Sequence, residues 1–418
     1  MTSRASSRPA IRRSSAAGSS SALTVVAVVA ASTVGLSVLA VAGGVVSAMR
    51  RIVTPERRRR DDLRILGHDP EAGTVALTST ADSRLPGRYS LWFDGGTGHA
   101  RLSDLLSDDG RVVTRRVEQV TAGDLGRARS GRLGGWLWSD PGEAGLDAEE
   151  VRVVTEIGPA PAWLVPAEGG TAGPWMIGVH GRGVTRAETI RSVPVFRRNG
   201  HSALLVSYRN DGEAPRSADG RYALGDDEWA DVESAMAYAL DHGATSLVLM
   251  GWSMGGAVVL QALTRSALAH HVDGVVLESP VVDWRTTLRF QGAAMHVPGA
   301  VQRLVLRLLQ SPVLSRLSGR RRPIDLDRLD LVARAPALDV PVLLLHSDDD
   351  GFVPSIASHA LAAARPDIVR LEVFDTARHT KLYNLDPERF DRVIDEWLAR
   401  LPRASGRRGR SARPSAAD

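Results

Sequence analysis

From about residue 170 to residue 401, short apolar runs alternate with amphipathic stretches. The runs are apolar at nearly every position, which is typical of strands buried on both faces of a parallel sheet. This alternation predicts an α/β domain with a mostly parallel sheet and helices on both of its faces. The predicted strands are 174–179, 203–207, 246–250, 274–277, 341–345 and 369–373, with helices at about 226–242, from 254 onwards and at about 386–401.

Residues 284–337 interrupt the alternation. Their apolar positions repeat at helical spacing, and Arg303 and Arg307 fall on the opposite face, which predicts an amphipathic helix. The apolar positions are Val301, Leu304, Val305, Leu308 and Leu309.

Residues 70–169 show a different pattern of short strands separated by turn residues. The predicted strands are 74–78, 89–93 and 111–114, and turn dipeptides such as Gly95-Gly96 and Asp109-Gly110 punctuate them. We expect a small β-rich accessory region, and nothing in its sequence suggests catalysis.

The 28 residues from Ala22 to Met49 carry no charge. A membrane-spanning helix needs ~20 apolar residues, whereas the core of a cleavable signal has about 7–15. The length favours a retained single-pass anchor over residues 22–49, although Ala40-Val41-Ala42 also fits a cleavage site. Basic residues flank both ends, and the more basic C-terminal flank slightly favours a cytoplasmic catalytic body.

The net charge of +4 conceals an uneven distribution. Ten arginines and one acid stand in residues 1–60, and residues 401–418 hold five arginines and one acid, so the body between is acidic. An acidic body argues against nucleic-acid binding, which needs a basic face. The basic segments 1–21 and 402–418 are predicted to be disordered, and residues 50–69 to form a charged linker. The absence of cysteine excludes disulfides and thiolate catalysis.

Ser253 is the candidate nucleophile. It stands in Gly251-Trp252-Ser253-Met254-Gly255, between a predicted strand and a predicted helix. A sharp turn at the end of a strand exposes a serine hydroxyl, and flanking glycines leave room for the backbone to bend. Such a hydroxyl becomes nucleophilic only if a base takes its proton.

The candidate acid and base follow two later strands. Asp350 lies in the loop after strand 341–345, where Asp348 and Asp349 are alternatives, and His379 lies just beyond strand 369–373. In the order Ser253, Asp350, His379, all three fall at carboxyl ends of parallel strands, the edge where open α/β sheets place their sites.

Two backbone amides are the candidate oxyanion donors. Met254 follows the nucleophile at the start of its helix, where the helix dipole also favours negative charge. Arg182 lies in His180-Gly181-Arg182-Gly183, after the first strand of the alternating region. His180 is expected to pack against or brace this loop.

Other acidic residues have structural interpretations. Glu228 and Asp231 open a helix and are expected to stabilise its N-terminus. Glu278 follows a strand and is expected to brace the edge of the sheet. The run Asp226-Asp227-Glu228 has no nearby histidine pattern, so no metal site is expected there.

Taken together, these motifs resemble the α/β-hydrolase superfamily, in its serine-aminopeptidase-like or lysophospholipase-like branch. The motifs are His180-Gly181, the pentapeptide around Ser253 with Gly256, Asp350 with Val353-Pro354, and His379. The stretch from Tyr208 to Trp229 also resembles an actinobacterial membrane-anchored subgroup. The resemblance implies an α/β-hydrolase fold with an eight-stranded sheet, a Ser-Asp-His triad, no cofactor, and a helical lid at residues 284–337. Ser347 departs from the superfamily, which often has glycine there.

The expected function is a serine hydrolase that cleaves an ester with a hydrophobic acyl group. The lid centre, residues 285–322, has eight arginines and no acid, which disfavours binding of a peptide amino terminus. An aminopeptidase or an acyltransferase on the same fold stays open, as does a binding module on an inactive scaffold. The expected partners are a small acyl ester and the lipid bilayer, and the oligomeric state stays open.

Overall fold

In a computed structural model of the protein, the described residues are 2, 41–56 and 59–401. The predicted disordered segments therefore fall almost wholly outside them. The described chain forms a closed β-barrel followed by a large open sheet with helices on both faces.

The barrel has six antiparallel strands in the order β1-β2-β5-β4-β3-β6. Its interior is a separate apolar cluster that includes Val75, Leu91 and Phe93. Closure leaves no free strand edge, which suits a small β unit attached to a larger domain. The strands are β1 (Leu63–Asp69), β2 (Thr74–Thr78), β3 (Tyr89–Phe93), β4 (Gly98–Asp108), β5 (Val112–Ala122) and β6 (Ser130–Gly134).

The large sheet has eight strands, seven of which run in one direction. The strands are β7 (Glu149–Thr155), β8 (Gly158–Val165), β9 (Gly173–Val179), β10 (Ser202–Val206), β11 (Ala244–Trp252), β12 (Val272–Glu278), β13 (Val342–Ser347) and β14 (Val369–Phe374). Their order is β14-β13-β12-β11-β9-β10-β8-β7, and only β8 is antiparallel to its neighbours among them. The predicted mostly parallel sheet is confirmed.

Helices cover both faces of this sheet. The described helices are α1 (41–53), α2 (Val193–Arg198), α3 (Trp229–Asp241), α4 (Met254–Arg265), α5 (Trp284–Ala294), α6 (Gly299–Gln310), α7 (Ile356–Ala364), α8 (Leu382–Leu385) and α9 (Pro387–Leu398). Trp175 and Ile177 of β9 pack into the layer that holds α3 and α4, while Met176 between them packs into the layer that holds α2 and α9. This alternation of side chains explains why the central strands are apolar at every position.

The sheet begins earlier than the sequence analysis placed it. Strands β7 and β8 lie within the predicted accessory region, 70–169, yet β8 pairs with β10 and β7 pairs with β8 to form the edge of the large sheet. The barrel itself occupies only residues 63–134. Part of the predicted charged linker, 50–69, is likewise structured, since it contains the end of α1 and all of β1.

The N-terminal helix α1 packs on the sheet domain. Val45, Met49 and Val53 are buried in the same apolar cluster as α3 and α4. Residues 22–40 of the predicted membrane span lie outside the described residues, but residues 41–49 contact protein. Among the described residues, no helix is long and apolar enough to cross a bilayer.

We expect Met49→Ala to lower the free energy of unfolding by about 2–5 kcal/mol, because the substitution leaves a cavity in a packed core. Val41→Ala, at a position that is 55% exposed on the same helix, should change it by less than about 0.5 kcal/mol. Denaturant titration followed by tryptophan fluorescence measures both. Equal effects from the two substitutions would show that α1 does not pack as described.

Candidate active site

Ser253 lies at the turn between β11 and α4, with its backbone held at φ 52° and ψ −117°. A positive φ is strained for a residue other than glycine, and it persists only where the surroundings enforce it. The surroundings here are close backbone contacts. A Cβ on Gly255 would lie 2.2 Å from the Val179 carbonyl oxygen, and one on Gly251 would lie 2.7 Å from the Gly255 carbonyl oxygen. Both positions therefore require glycine.

The structure brings Ser253, His379 and Asp350 into one hydrogen-bonded chain. Ser253 Oγ lies 2.9 Å from His379 Nε2, and His379 Nδ1 lies 2.7 Å from Asp350 Oδ2. With the Nδ1–H tautomer, the imidazole donates to the carboxylate and accepts from the hydroxyl. Asp350 is buried and the His379 side chain is 20% exposed, so the chain runs from the interior to an accessible base.

Among the three neighbouring aspartates, only Asp350 contacts the imidazole. Its Oδ1 also accepts hydrogen bonds from the Phe352 and Val353 amides, at 2.8 and 2.9 Å. Asp348 instead binds His359 at the surface, and Asp349 faces Arg378.

The environment of Asp350 keeps its carboxyl ionised. Burial by itself raises the pKa of Asp350, but the charge that His379 can carry and hydrogen bonds with His346 and His379 outweigh burial and hold this pKa well below its usual range. The carboxylate can therefore orient the imidazole and stabilise its protonated form.

The loop after β9 lies beside the nucleophile. A Cβ on Gly181 would come within 3.2 Å of Ser253 Cβ. The Gly181 amide donates to Glu188 Oε2 at 2.7 Å, so this amide is engaged. The His180 ring is buried, stacks on Tyr208 and lies 3.1 Å from Asp211, which matches the bracing role expected of it.

Arg182 is fixed in this loop by helix α1. Its guanidinium donates to the Arg51 and Thr54 carbonyls, at 2.7 and 3.0 Å, which lie at the C-terminal end of the helix. No N–H of the described helix donates to these carbonyls, so the guanidinium satisfies them as acceptors. Met254 is buried at the first position of α4, where a backbone N–H has no intrahelical acceptor.

Glu278, at the end of β12, connects the nucleophile to the histidine loop. Its buried carboxylate accepts from Trp252 Nε1 at 2.5 Å, Arg191 Nη2 at 3.2 Å and the Leu382 amide at 3.2 Å. Burial raises the pKa of Glu278, and the Arg191 charge opposes that rise. The bracing role expected for Glu278 agrees with these contacts.

Helix α5 contacts the loop that carries Asp350. Phe352 lies with its ring centroid 5.0 Å from that of His379, and its carbonyl accepts from Gln291 of α5 at 3.1 Å. An apolar ring therefore lines one side of the imidazole, and α5 is attached to the loop that carries Asp350.

Sequence reasoning missed Glu188 and Arg191, since neither follows a motif or a periodic pattern. It treated Glu228 as a helix residue, whereas its carboxylate accepts from the Ala223 and Gly225 amides of the preceding loop. Asp231 forms a buried bidentate pair with Arg209.

Within the described part of the chain, no group of His, Asp and Glu side chains is arranged to hold a metal ion.

Comparison with solved structures returns several esterases. An esterase from Pyrococcus furiosus is 18% identical with a TM-score of 0.48, and the match covers 63% of this chain and 96% of that one. An esterase from a Rhodococcus species is 21% identical with a TM-score of 0.43, covering 60% and 99%. Among curated proteins, none matches this sequence.

Family models divide the chain in the same way as its fold. Residues 64–134, almost all of the barrel, match a domain of unknown function. Residues 176–393, more than half of the chain, match the alpha/beta hydrolase family. The chain therefore belongs to the alpha/beta hydrolase family.

Proposed function

We propose that the protein is a serine hydrolase that cleaves carboxylic esters with a hydrophobic acyl group. The observation that carries this proposal is the unbroken chain of hydrogen bonds from Ser253 Oγ through His379 to Asp350. It stands at the carboxyl edge of the sheet, beside the N-terminus of α4. This arrangement can generate a nucleophile and stabilise an anion at the same place.

In the proposed reaction, Ser253 Oγ attacks the ester carbonyl while His379 Nε2 takes its proton. Collapse of the tetrahedral intermediate breaks the bond to the leaving alcohol, which receives that proton from the imidazolium. Water then attacks the acyl-serine with His379 again as base, releasing the carboxylic acid and restoring the hydroxyl. Asp350 holds the ring and stabilises its charge throughout.

Backbone amides would stabilise the oxyanion. The Met254 N–H lies next to the nucleophile and benefits from the positive end of the α4 dipole. The Arg182 N–H is our second donor, because the neighbouring Gly181 amide is already bonded to Glu188. Removing one such donor typically costs about 10²–10³ in kcat.

The lid supports a hydrophobic acyl group over a peptide. Large apolar side chains stand exposed on the lid and the adjoining loop: Phe290, Met295, Leu304, Val313, Leu314, Leu317, Phe352 and Ile356. Phe352 extends this surface to the imidazole. The Glu188 carboxylate already accepts a hydrogen bond from the Gly181 amide, which disfavours its use by an aminopeptidase to bind a peptide amino terminus. Acyl transfer to an alcohol would use the same acyl-enzyme and differ only in the acceptor.

The lid also supports a membrane partner. Six lid arginines are exposed and form no ion pair within the described chain: Arg289, Arg303, Arg307, Arg316, Arg321 and Arg322. Arg50 and Arg51 of α1 contact Leu317 and Met295 of the same surface. We therefore propose that residues 22–40, which are uncharged, anchor the chain in a bilayer, and that the lid faces its anionic leaflet. Anionic lipid is typical of the cytoplasmic side.

Ser253→Ala should abolish covalent labelling by a fluorophosphonate probe and ester turnover together, because the attacking oxygen is removed. The measurement is probe fluorescence on a gel beside hydrolysis of a chromogenic acyl ester. Ser107→Ala, at an exposed serine of the barrel, is a suitable control, and thermal denaturation checks that each variant is folded. Equal labelling of wild type and Ser253→Ala would refute the proposed nucleophile. Faster turnover of short peptides than of acyl esters would show that the protein is a peptidase instead.

Asp350→Asn should lower kcat about 10⁴-fold, because the amide favours the wrong imidazole tautomer. Asp348→Asn, at the same loop but bonded to His359, should stay within about twofold of wild type. Steady-state kinetics on one acyl ester tests both. A larger loss at Asp348 than at Asp350 would reassign the acid.

Replacing Arg303 and Arg307 together with Gln should weaken turnover of an acyl ester presented in anionic vesicles by roughly ten- to thirtyfold, since each basic residue near such a surface contributes about 1 kcal/mol. Turnover in neutral vesicles should not change. The matched control replaces Arg111 and Arg127, exposed on the barrel, with Gln. An identical loss of turnover in both double variants, or no loss in either, would show that the lid does not bind the membrane.

A further inference from the structure

The loop that carries His379 is strained on both sides of the imidazole. Arg378 has φ 61° and Thr380 has φ 50°, and both are residues that rarely adopt this conformation. A β-branched threonine is disfavoured there most of all. Such a backbone persists only when other contacts hold it, so the contacts of residues 378–381 decide where the imidazole lies.

The sheet domain supplies some of those contacts, since the Thr380 amide donates to Ser279 Oγ at 3.1 Å and Arg378 lies 3.5 Å from Asp349. The barrel supplies the rest. Asp82, in the connection between β2 and β3, accepts from Arg378 Nε at 3.2 Å through Oδ1 and from Lys381 Nζ at 2.6 Å through Oδ2. The two cations stand just before and two residues after His379. Lys381 is the only lysine in the chain. Its side chain is 9% exposed and that of Asp82 is 32% exposed, so the pair is partly shielded from water.

The Asp82 carboxylate belongs to a turn that Arg115 fixes to the barrel interior. Arg115 of β5 is fully buried in the barrel, and its guanidinium donates to the carbonyls of Ser83, Leu85 and Gly87 in this connection. A buried cation spread over several carbonyls fixes their positions, because losing any of them would leave charge unsatisfied. Asp82 is thus presented from a turn tied to the barrel interior.

We infer that the barrel positions the catalytic base. Asp82 binds Arg378 and Lys381 and thereby holds the strained loop so that the His379 imidazole stays within hydrogen-bond distance of Ser253. This inference rests on the proposed function only for its kinetic consequences. Asp82 does not touch the reacting atoms, so it acts through the loop and is a positioning residue.

Two further observations agree with this role. Burial by itself raises the pKa of Asp82, but Lys381 and Arg378 outweigh burial and hold that pKa below its usual value. Asn384, three residues after Lys381, donates to the Arg88 and Gly135 carbonyls of the barrel region at 2.7 and 2.8 Å. The segment that follows His379 is therefore tied to the barrel at two points.

The kinetic test uses the full chain and compares Asp82→Asn with Asp104→Asn. Asp104 pairs with Arg116 on the exposed side of the same barrel, so each change removes one ion-paired carboxylate from the barrel. We expect Asp82→Asn to lower kcat about 10- to 100-fold with KM within about twofold, because a misplaced base slows chemistry without changing substrate contacts. Asp104→Asn should match wild type.

Conservative and paired variants separate positioning from general destabilisation. Asp82→Glu should recover most of the lost kcat, and Lys381→Met combined with Asp82→Asn should be no slower than the slower single variant, because both act on one contact. If Asp82→Asn behaves like Asp104→Asn in an active enzyme, the inference is wrong while the proposed function stands.

A second measurement does not need a substrate. The Nδ1 proton that His379 donates to Asp350 should give a low-field proton resonance, identified by its loss in His379→Gln. We expect Asp82→Asn to broaden or remove this resonance while Asp104→Asn retains it. A sharp, unshifted resonance in Asp82→Asn would overturn the inference even if no ester were ever turned over.

Discussion

The site depends on how closely the start of α4 approaches the carboxyl ends of the central strands. A Cβ at Gly255 would overlap the Val179 carbonyl, and one at Gly256 would lie 2.7 Å from Pro280 Cβ. Because these positions are glycine, the helix can begin directly against β9 and β12. This close packing forces Ser253 into its positive φ and sets its hydroxyl beside both the Gly181 loop and the His379 loop. One steric constraint thus fixes both the nucleophile and its neighbours.

Much of this could be predicted because the central sheet is buried on both faces. Strands covered on both sides must be apolar throughout, which makes runs such as that before Ser253 easy to recognise. Once the strands are placed, their carboxyl ends share one edge, so Asp350 and His379 can be expected near Ser253 without knowing any distance. The choice of Asp350 over its neighbours also followed from loop position, and the observed contacts agree with it.

What could not be predicted has a physical reason in each case. Residues 41–49 are compatible with both a bilayer and a protein core, because both environments accept apolar side chains. The sequence of this segment alone does not distinguish the two environments. Strand β8 is antiparallel and lies near the edge of the sheet, so its pattern resembles that of the barrel strands. Glu188 and Asp82 form hydrogen bonds with residues that are distant in the sequence or stand at no helical or strand spacing. Such contacts leave no trace in local patterning.

Helix α1 and the barrel, which precede the large sheet, each contact one of the loops beside Ser253. Ser253 is fixed by glycine packing inside the sheet domain, whereas the loop after β14 contains strained backbone at Arg378 and Thr380. Helix α1 presents its last carbonyls to Arg182 in one loop, and the barrel presents Asp82 to the other. An ion pair at an exposed site contributes little, yet a partly shielded one that holds a strained loop can determine geometry. The N-terminal third of the chain therefore bears directly on where the Arg182 loop and the His379 imidazole lie.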